Sequence, residues 1–244
     1  MKKIIFILAF IFINNVFCQT DKGVIQYKKV RLKKVFNQNK KQKSKNFNTF
    51  AKIENSINEI QKKLTFNLLY NRGESHFEVQ KEMEVSENKF FKMSLGPDGI
   101  SKFYNSKNEI LKSIYIFGEK FLISKSNYKW TLKTDTKKIN KYTCYKAVTI
   151  EKMKTRNGIK NILVEAWYAP EINIPFGPIG YSGLPGLILE LKKDNIKYYV
   201  TSINLNPRKK ILVKKPTNGK KVTQEEYYDI AINAMKDFRK NRGY

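Results

Sequence analysis

Apolar and polar residues alternate at a period of two through most of this chain, and at the helical period in two places. In "GVIQYKKVRL" (23–32), Val24, Gln26 and Lys28 stand against Ile25, Tyr27 and Lys29, the pattern of a first strand. Phe50, Ile53, Ile57, Ile60 and Leu64 then recur at steps of three and four, which predicts an amphipathic helix over 49–63 with its apolar stripe on a core. From Leu64 to about Leu205 the period returns to two. "LTFNLLY" and "SHFEVQ" flank "NRGE" as a hairpin, and "GPDG" (96–99) has the residues of a tight turn. "ISKFY", "ILKSIYIF", "KFLISK", "KWTLKT", "YTCYKAVTIEK", "NILVEAWYA", "LILEL" and "KYYVTSINL" follow at short spacings. They predict an antiparallel meander, buried on one face.

A second helix is predicted over 223–242. It opens with a capping box, Thr223 and Glu226, and carries Tyr227, Ala231, Ala234 or Met235, and Phe238 as its stripe. Acidic residues lead and basic ones finish, in agreement with the helix dipole. The fold class is therefore mainly β (α+β), with one helix near the N-terminal region and one at the C-terminus.

The first 18 residues, "MKKIIFILAFIFINNVFC", stand apart. Lys2 and Lys3 precede an apolar run from Ile4 to Ile13 that is too short to span a bilayer. This is the pattern of an export signal, with cleavage after Cys18 leaving Gln19 first. The expected organisation is a signal peptide over 1–18 and a single domain over 19–244. The expected location is the periplasm or the outer membrane. Lipidation of Cys18 is the rival reading, and bulky Phe17 departs from what such a site wants. With Cys18 removed, Cys144 is the one remaining thiol, so no intramolecular disulfide can form.

The formal net charge is +27, and only six of the 48 basic residues are arginine. Export and the scarcity of arginine argue against nucleic acid as a partner. Either the composition alone explains the charge, or the protein makes peripheral contact with an anionic membrane surface. Residues 28–45 hold nine basic side chains and no acidic one, read as a solvated connection or as part of such a contact.

Catalytic signals are sparse. His76 is the sole histidine, which excludes a multi-histidine metal site, and no metal or cofactor is expected. Cys144 lies between aromatic residues and reads as a packing cysteine. There is no GxSxG, P-loop or GxGxxG motif, and no carboxylate pair at a telling spacing. A hydrolase would have to assemble an acidic pair in space, one of them with a raised pKa.

The densest signal is "EAWYAPEINIPFGPIGYSGLPGLILELKKD" (165–194), which holds four of the seven prolines. Proline has no amide donor, so the chain cannot be central strand between Pro170 and Pro185. Leu184-Pro185-Gly186-Leu187 has the residues of a type II turn. A stiff loop should therefore leave one strand and turn sharply into the buried strand "LILEL". Three readings stand: a seal on the end of the core, a recognition loop with Trp167, Tyr168, Phe176 and Tyr181 held out for contact, or a catalytic loop.

The stretch "GLPGLILE", preceded by "AWYAPEINIPFGP", resembles the GLPGLI (Porph_ging) family of exported Bacteroidetes proteins. The hexapeptide is intact from Gly183 through Leu184, Pro185, Gly186 and Leu187 to Ile188, and Pro175, Phe176, Gly177 and Pro178 supply its upstream companions. "LTFNLLYNRGESHF" and "WTLKTDTKKINKYTCYKA" are similar to the family's aromatic strand pair and its Trp strand, with Lys141 where a glycine is usual. The resemblance implies a curved, half-barrel sheet similar to LolA-type carriers, with no defined biochemical role. It leaves two expectations: carriage or sensing of an apolar or lipid-like ligand, or accessory docking on a TonB-dependent outer-membrane receptor.

Overall fold

The computed structural model of the protein describes residues 21–33 and 47–240. The signal-like segment, Cys18, the basic stretch beyond Lys33 and the last two residues of the expected C-terminal helix lie outside the described residues. The first half of the chain comprises β1 (Lys22–Arg31), helix α1 (Phe47–Lys63), the hairpin β2 (Phe66–Asn71) and β3 (Glu74–Val79), and helices α2 (Met83–Ser86) and α3 (Phe91–Gly99). It continues through β4 (Lys102–Asn105), β5 (Ile110–Ile116) and β6 (Glu119–Lys125). The second half holds β7 (Thr131–Ile139), β8 (Tyr142–Thr155), β9 (Gly158–Ala169), β10 (Leu187–Lys193) and β11 (Ile196–Asn204). A short β12 (Lys220–Thr223) then leads into α4 (Gln224–Lys240).

All 12 strands form one sheet, in the order β12-β6-β5-β4-β3-β2-β1-β11-β10-β9-β8-β7. Two meanders meet where β1 pairs with β11, Val24 opposite Asn204 and Arg31 opposite Ile196. The expected antiparallel pairing holds throughout, with one exception: β12 runs parallel to β6. It arrives by a long irregular connection rather than a hairpin, so nothing forces it to reverse direction.

Alternation sets the inner face. Ile25 and Tyr27 of β1, Phe66 and Leu68 of β2, and Phe77 of β3 are all but fully buried. The rings of Phe66 and Phe77 stack with centroids 5.7 Å apart, and Tyr198 of β11 stands edge-on to both. Each such side chain contributes roughly 1.5–3 kcal/mol relative to an exposed one. The sheet curls strongly around this core. Helix α4 packs on β6, β8 and β12, although β6 and β8 lie near opposite ends of the strand order.

The predicted helices near 49–63 and 223–242 are present as α1 and α4. Helices α2 and α3 go beyond what the pattern predicts. Their stretch has no amphipathic stripe, and "GPDG" reads as a turn. That turn exists: Gly96, at φ 61°, interrupts the helical backbone inside α3. The Ser101 hydroxyl donates to the Pro97 carbonyl at 2.8 Å and fixes the reversal.

Candidate functional site

The proline-rich loop between β9 and β10 folds into the hollow of the sheet. Phe176 makes an isolated bridge with Ser182, and Pro178–Gly180 form one tight helical turn. That turn packs on β3, β4 and β5. Side chains from distant elements hold the loop by its carbonyls. The Trp130 indole donates to Ser182 at 2.8 Å, Asn105 Nδ2 to Gly180 at 2.9 Å, and the Tyr27 hydroxyl to Ile188 at 2.7 Å. A loop that crosses a core must have its backbone polar groups satisfied in this way.

This placement corrects the expectation that the loop offers exposed aromatic contacts. Phe176 is 4% exposed and Tyr181 fully buried, because the stiff chain turns inward onto the core. Pro178, Leu184, Gly186, Leu187 and Ile188 are buried as well, while Pro175, Gly183 and Pro185 reach the surface. Trp167 and Tyr168 are neighbours on β9 and so point to opposite faces. Tyr168 is buried, while Trp167 is half-buried beneath the ammonium of Lys137, 4.3 Å above its ring. The four aromatics therefore share no common surface.

The expected type II turn is also different in detail. The Gly186 amide donates to the Leu184 carbonyl at 2.8 Å, a three-residue turn around Pro185. Leu187 donates instead to Ile172. Glycine is still required: Gly186 has φ 150°, and a Cβ there would lie 2.2 Å from the Ala169 carbonyl oxygen. Gly177 is also constrained by approach, since a Cβ would stand 2.6 Å from that of Ile188. The upstream Gly-Pro and the hexapeptide are thus packed against each other.

The loop reaches a group of buried charges through Tyr181. Its hydroxyl donates a hydrogen bond to Glu151 Oε2 on β8. Lys193 of β10 lies 3.1 Å from both Glu151 Oε2 and Asp98 Oδ2. Asp98, in the α3 turn, also receives Lys112 of β5 at 3.1 Å. Lys125 of β6 faces Glu151 Oε1 at 3.6 Å, beyond hydrogen-bond range. Lys29 of β1 donates to the Ser94 and Leu95 carbonyls at 2.8 and 2.6 Å, just before the break at Gly96.

These side chains floor a cavity of about 760 Å³ on the concave side of the sheet. Its roof is α4, which turns Tyr227, Tyr228, Ala231, Ile232 and Met235 toward it. Ile162, Ile179 and Ile196 add to the apolar wall. Basic side chains far outnumber acidic ones along the lining. The space has the size of a small-molecule site, apolar on one side and cationic on the other.

The electrostatics follow from burial and from the shortage of carboxylates. Burial would raise both acids, but Lys125 and Lys193 hold Glu151 below the usual carboxylate range, and Lys193, Lys112 and Lys125 hold Asp98 well below it. Lys193, between the two acids, is raised despite its burial. Lys112 and Lys125 are lowered by burial, which their shares of Asp98 and Glu151 do not offset. Burial brings Lys29 down to about 8.

The remaining candidates are structural in setting. His76 on β3 faces Glu78 at 3.5 Å, and Cys144 is a buried free thiol that burial pushes up to about 11. Such a thiol is protonated and inert at neutral pH. Among the described residues no three His, Cys, Asp or Glu side chains are grouped so as to hold a metal ion. No described helix is long and apolar enough to cross a membrane.

Fold and site together define a mainly β protein whose curled sheet holds a charged cavity under a helix. The Porph_ging family model, described as a protein of unknown function, matches residues 152–190. This bears out the GLPGLI resemblance over a span that begins just after Glu151 and contains Tyr181 and the hexapeptide. No curated protein is significantly similar in sequence. Among solved structures, PNGF-II in its P21 crystal form is similar at TM-score 0.49 and 16% identity, over 88% of this chain and 34% of that one. The C2 form gives 0.47 and 16%, over 87% and 33%, so the chain spans about a third of the PNGF-II length. An uncharacterized conserved protein from Thermus thermophilus gives 0.30 and 9%, over 66% and 82%. These likenesses are too weak to carry a function.

Proposed function

We propose that this protein is an exported, non-catalytic carrier or sensor that holds an amphipathic, lipid-like ligand in the cavity beneath α4, in the periplasm or at the outer membrane. The observation that carries this reading is the cavity of about 760 Å³ between an apolar helix face and the sheet. Its walls suit a ligand with an apolar body, as the sheet interior of a carrier requires. The non-catalytic half rests on the acids. Asp98 and Glu151 are both held ionised, whereas an acid–base pair needs one carboxyl raised. The test is native mass spectrometry of protein purified from its own envelope, with solvent extraction of what is bound. A reproducible extra mass, identified as one amphipathic compound, supports the carrier. A bare mass from several preparations counts against it.

Accessory docking on an outer-membrane receptor has support on a different surface. Ile150 and Leu163 are cross-strand neighbours on β8 and β9 and are 62% and 55% exposed. Apolar exposure across neighbouring strands is unusual for a face that meets only water. A photo-crosslinker at Ile150 should capture one outer-membrane protein in cells, and capture of none would remove this reading.

A further inference from the structure

The charges on the cavity floor do not balance. Four lysines, Lys29, Lys112, Lys125 and Lys193, come together with two carboxylates, Asp98 and Glu151. Lys193 takes one oxygen from each acid, and Lys112 takes the other oxygen of Asp98. Glu151 is further occupied by the Tyr181 hydroxyl. Lys125 is left with one carboxylate contact at 3.6 Å and the face of the Tyr181 ring at 5.6 Å, although its side chain is only 8% exposed. Beneath it, 5.3 Å from its nitrogen, is the ring of Tyr128, whose buried hydroxyl has no hydrogen-bond partner. An ammonium group has three donors, and burying one without acceptors is strongly unfavourable. The protein nonetheless sets Lys125 at the inward end of a strand, against a space large enough for a ligand.

We infer that the cavity floor is a binding site for a dianionic phosphate-monoester group, received by Lys125 and Lys112, with any attached apolar chain lying along α4. The class follows from the count. Two surplus positive charges call for a group carrying about two negative ones, which a phosphate monoester supplies near neutral pH. A single carboxylate would neutralise only one. Lysine serves phosphate as a point charge, without the planar geometry that arginine gives to bidentate recognition. Low dielectric makes each of these contacts stronger than it would be on the surface. Burial lowers Lys112 and Lys125, the two acids do not offset it, and a bound phosphate beside them would raise both. The chain-bearing part of this inference rests on the carrier reading, while the anion site itself does not.

The test is calorimetric titration of the exported chain, residues 19–244, with four probes below their micelle concentrations: dodecyl phosphate, dodecanoate, uncharged 1-dodecanoylglycerol and inorganic phosphate. Dodecyl phosphate should bind at least tenfold more tightly than the uncharged amphiphile, with dodecanoate between them. In Lys125→Met the advantage of dodecyl phosphate over the uncharged probe should fall to less than threefold. Circular dichroism checks that the variant is folded, and the wild-type comparison decides the matter if it is not. Equal affinity for dodecyl phosphate and the uncharged probe overturns the anion site and leaves the carrier standing. Equal affinity for dodecanoate and dodecyl phosphate overturns the dianion assignment. Binding of inorganic phosphate as tight as that of dodecyl phosphate supports the anion site with free phosphate as its source, and counts against the carrier. Binding of none of the four overturns both.

Discussion

Tyr27, on the first strand, donates its hydroxyl hydrogen bond to the carbonyl of Ile188, the last residue of the hexapeptide, at 2.7 Å. Both residues are fully buried, so the bond ties the loop to the centre of the sheet where water cannot replace it. Burial also pushes the phenol well above its ordinary range, so the hydroxyl stays a donor at any working pH. Tyr27→Phe keeps the ring contacts and removes only the donor. It should lower unfolding stability by about 1–2 kcal/mol, read from urea denaturation at unchanged m-value. A loss below about 0.3 kcal/mol, far under the usual worth of a buried hydrogen bond, would show that the bond is not holding the loop.

The two glycines that face close neighbours should respond differently. At Gly186 the obstructing atoms are backbone, Ala169 O at 2.2 Å and Pro170 Cα at 2.8 Å, and φ is 150°. At Gly177 they belong to the Ile188 side chain, 2.6 Å away, with φ −158°. Gly186→Ala combines backbone strain of about 1–3 kcal/mol with overlap of similar size. Gly177→Ala carries the overlap alone. Thermal unfolding should place Gly186→Ala well below Gly177→Ala, and both below wild type.

The buried lysines should separate by partner. Lys193 stands between Asp98 and Glu151, so Lys193→Met takes from both buried carboxylates the one cation they share. A loss of about 3–5 kcal/mol is expected. Lys125→Met leaves Glu151 with Lys193 and Tyr181 and removes an under-partnered cation. Its stability should stay within about 1 kcal/mol of wild type, or rise. Urea denaturation of the pair checks the contrast, and equal losses would contradict the surplus of positive charge.

Acid should weaken the protein partly through Glu78. The hydrogen bond from His76, then Lys102 at 2.6 Å, bring its carboxyl down from 4.5 to about 2. A carboxyl lowered on folding contributes stability that is complete above its ordinary value of 4.5 and fades as pH falls through about 2. The group is half-buried, so solvent screens the effect. Glu78→Gln should therefore melt below wild type at about pH 6, and the gap should close on acidification toward about pH 2. A gap that is constant with pH would assign the loss to packing.

Much of the sheet was legible because alternation is a local signal. The inward phase of β1 can be read directly from Ile25 and Tyr27, and both amphipathic helices from their stripes. The hexapeptide was legible as an obligatory turn, though not as an inward one: nothing local says whether a stiff loop bends toward a core or away from it. The charge network escaped because Lys29, Lys112, Lys125, Asp98, Glu151 and Lys193 come from six separate elements. A signal was nevertheless there. Lys29 follows Ile25 and Tyr27 in phase, Lys125 follows Phe121 and Ile123, and Lys112 lies between Ile110 and Ile114. A charged residue at the next inward position of a strand is a buried charge by period alone. Three lysines share that feature, and so does Glu151 after Ala147 and Thr149.

The seam between β1 and β11 also fixes the order in which this fold can be completed. Strand β1 is made long before its partner on one side, Arg31 waiting for Ile196. Until then β1 pairs with β2 alone and leaves a row of amide and carbonyl groups bare on its other edge. Pairings so distant in sequence form slowly, because loop closure precedes any contact that repays it. The delay keeps the sheet open at its centre, as two separate meanders, until β11 is available to join them.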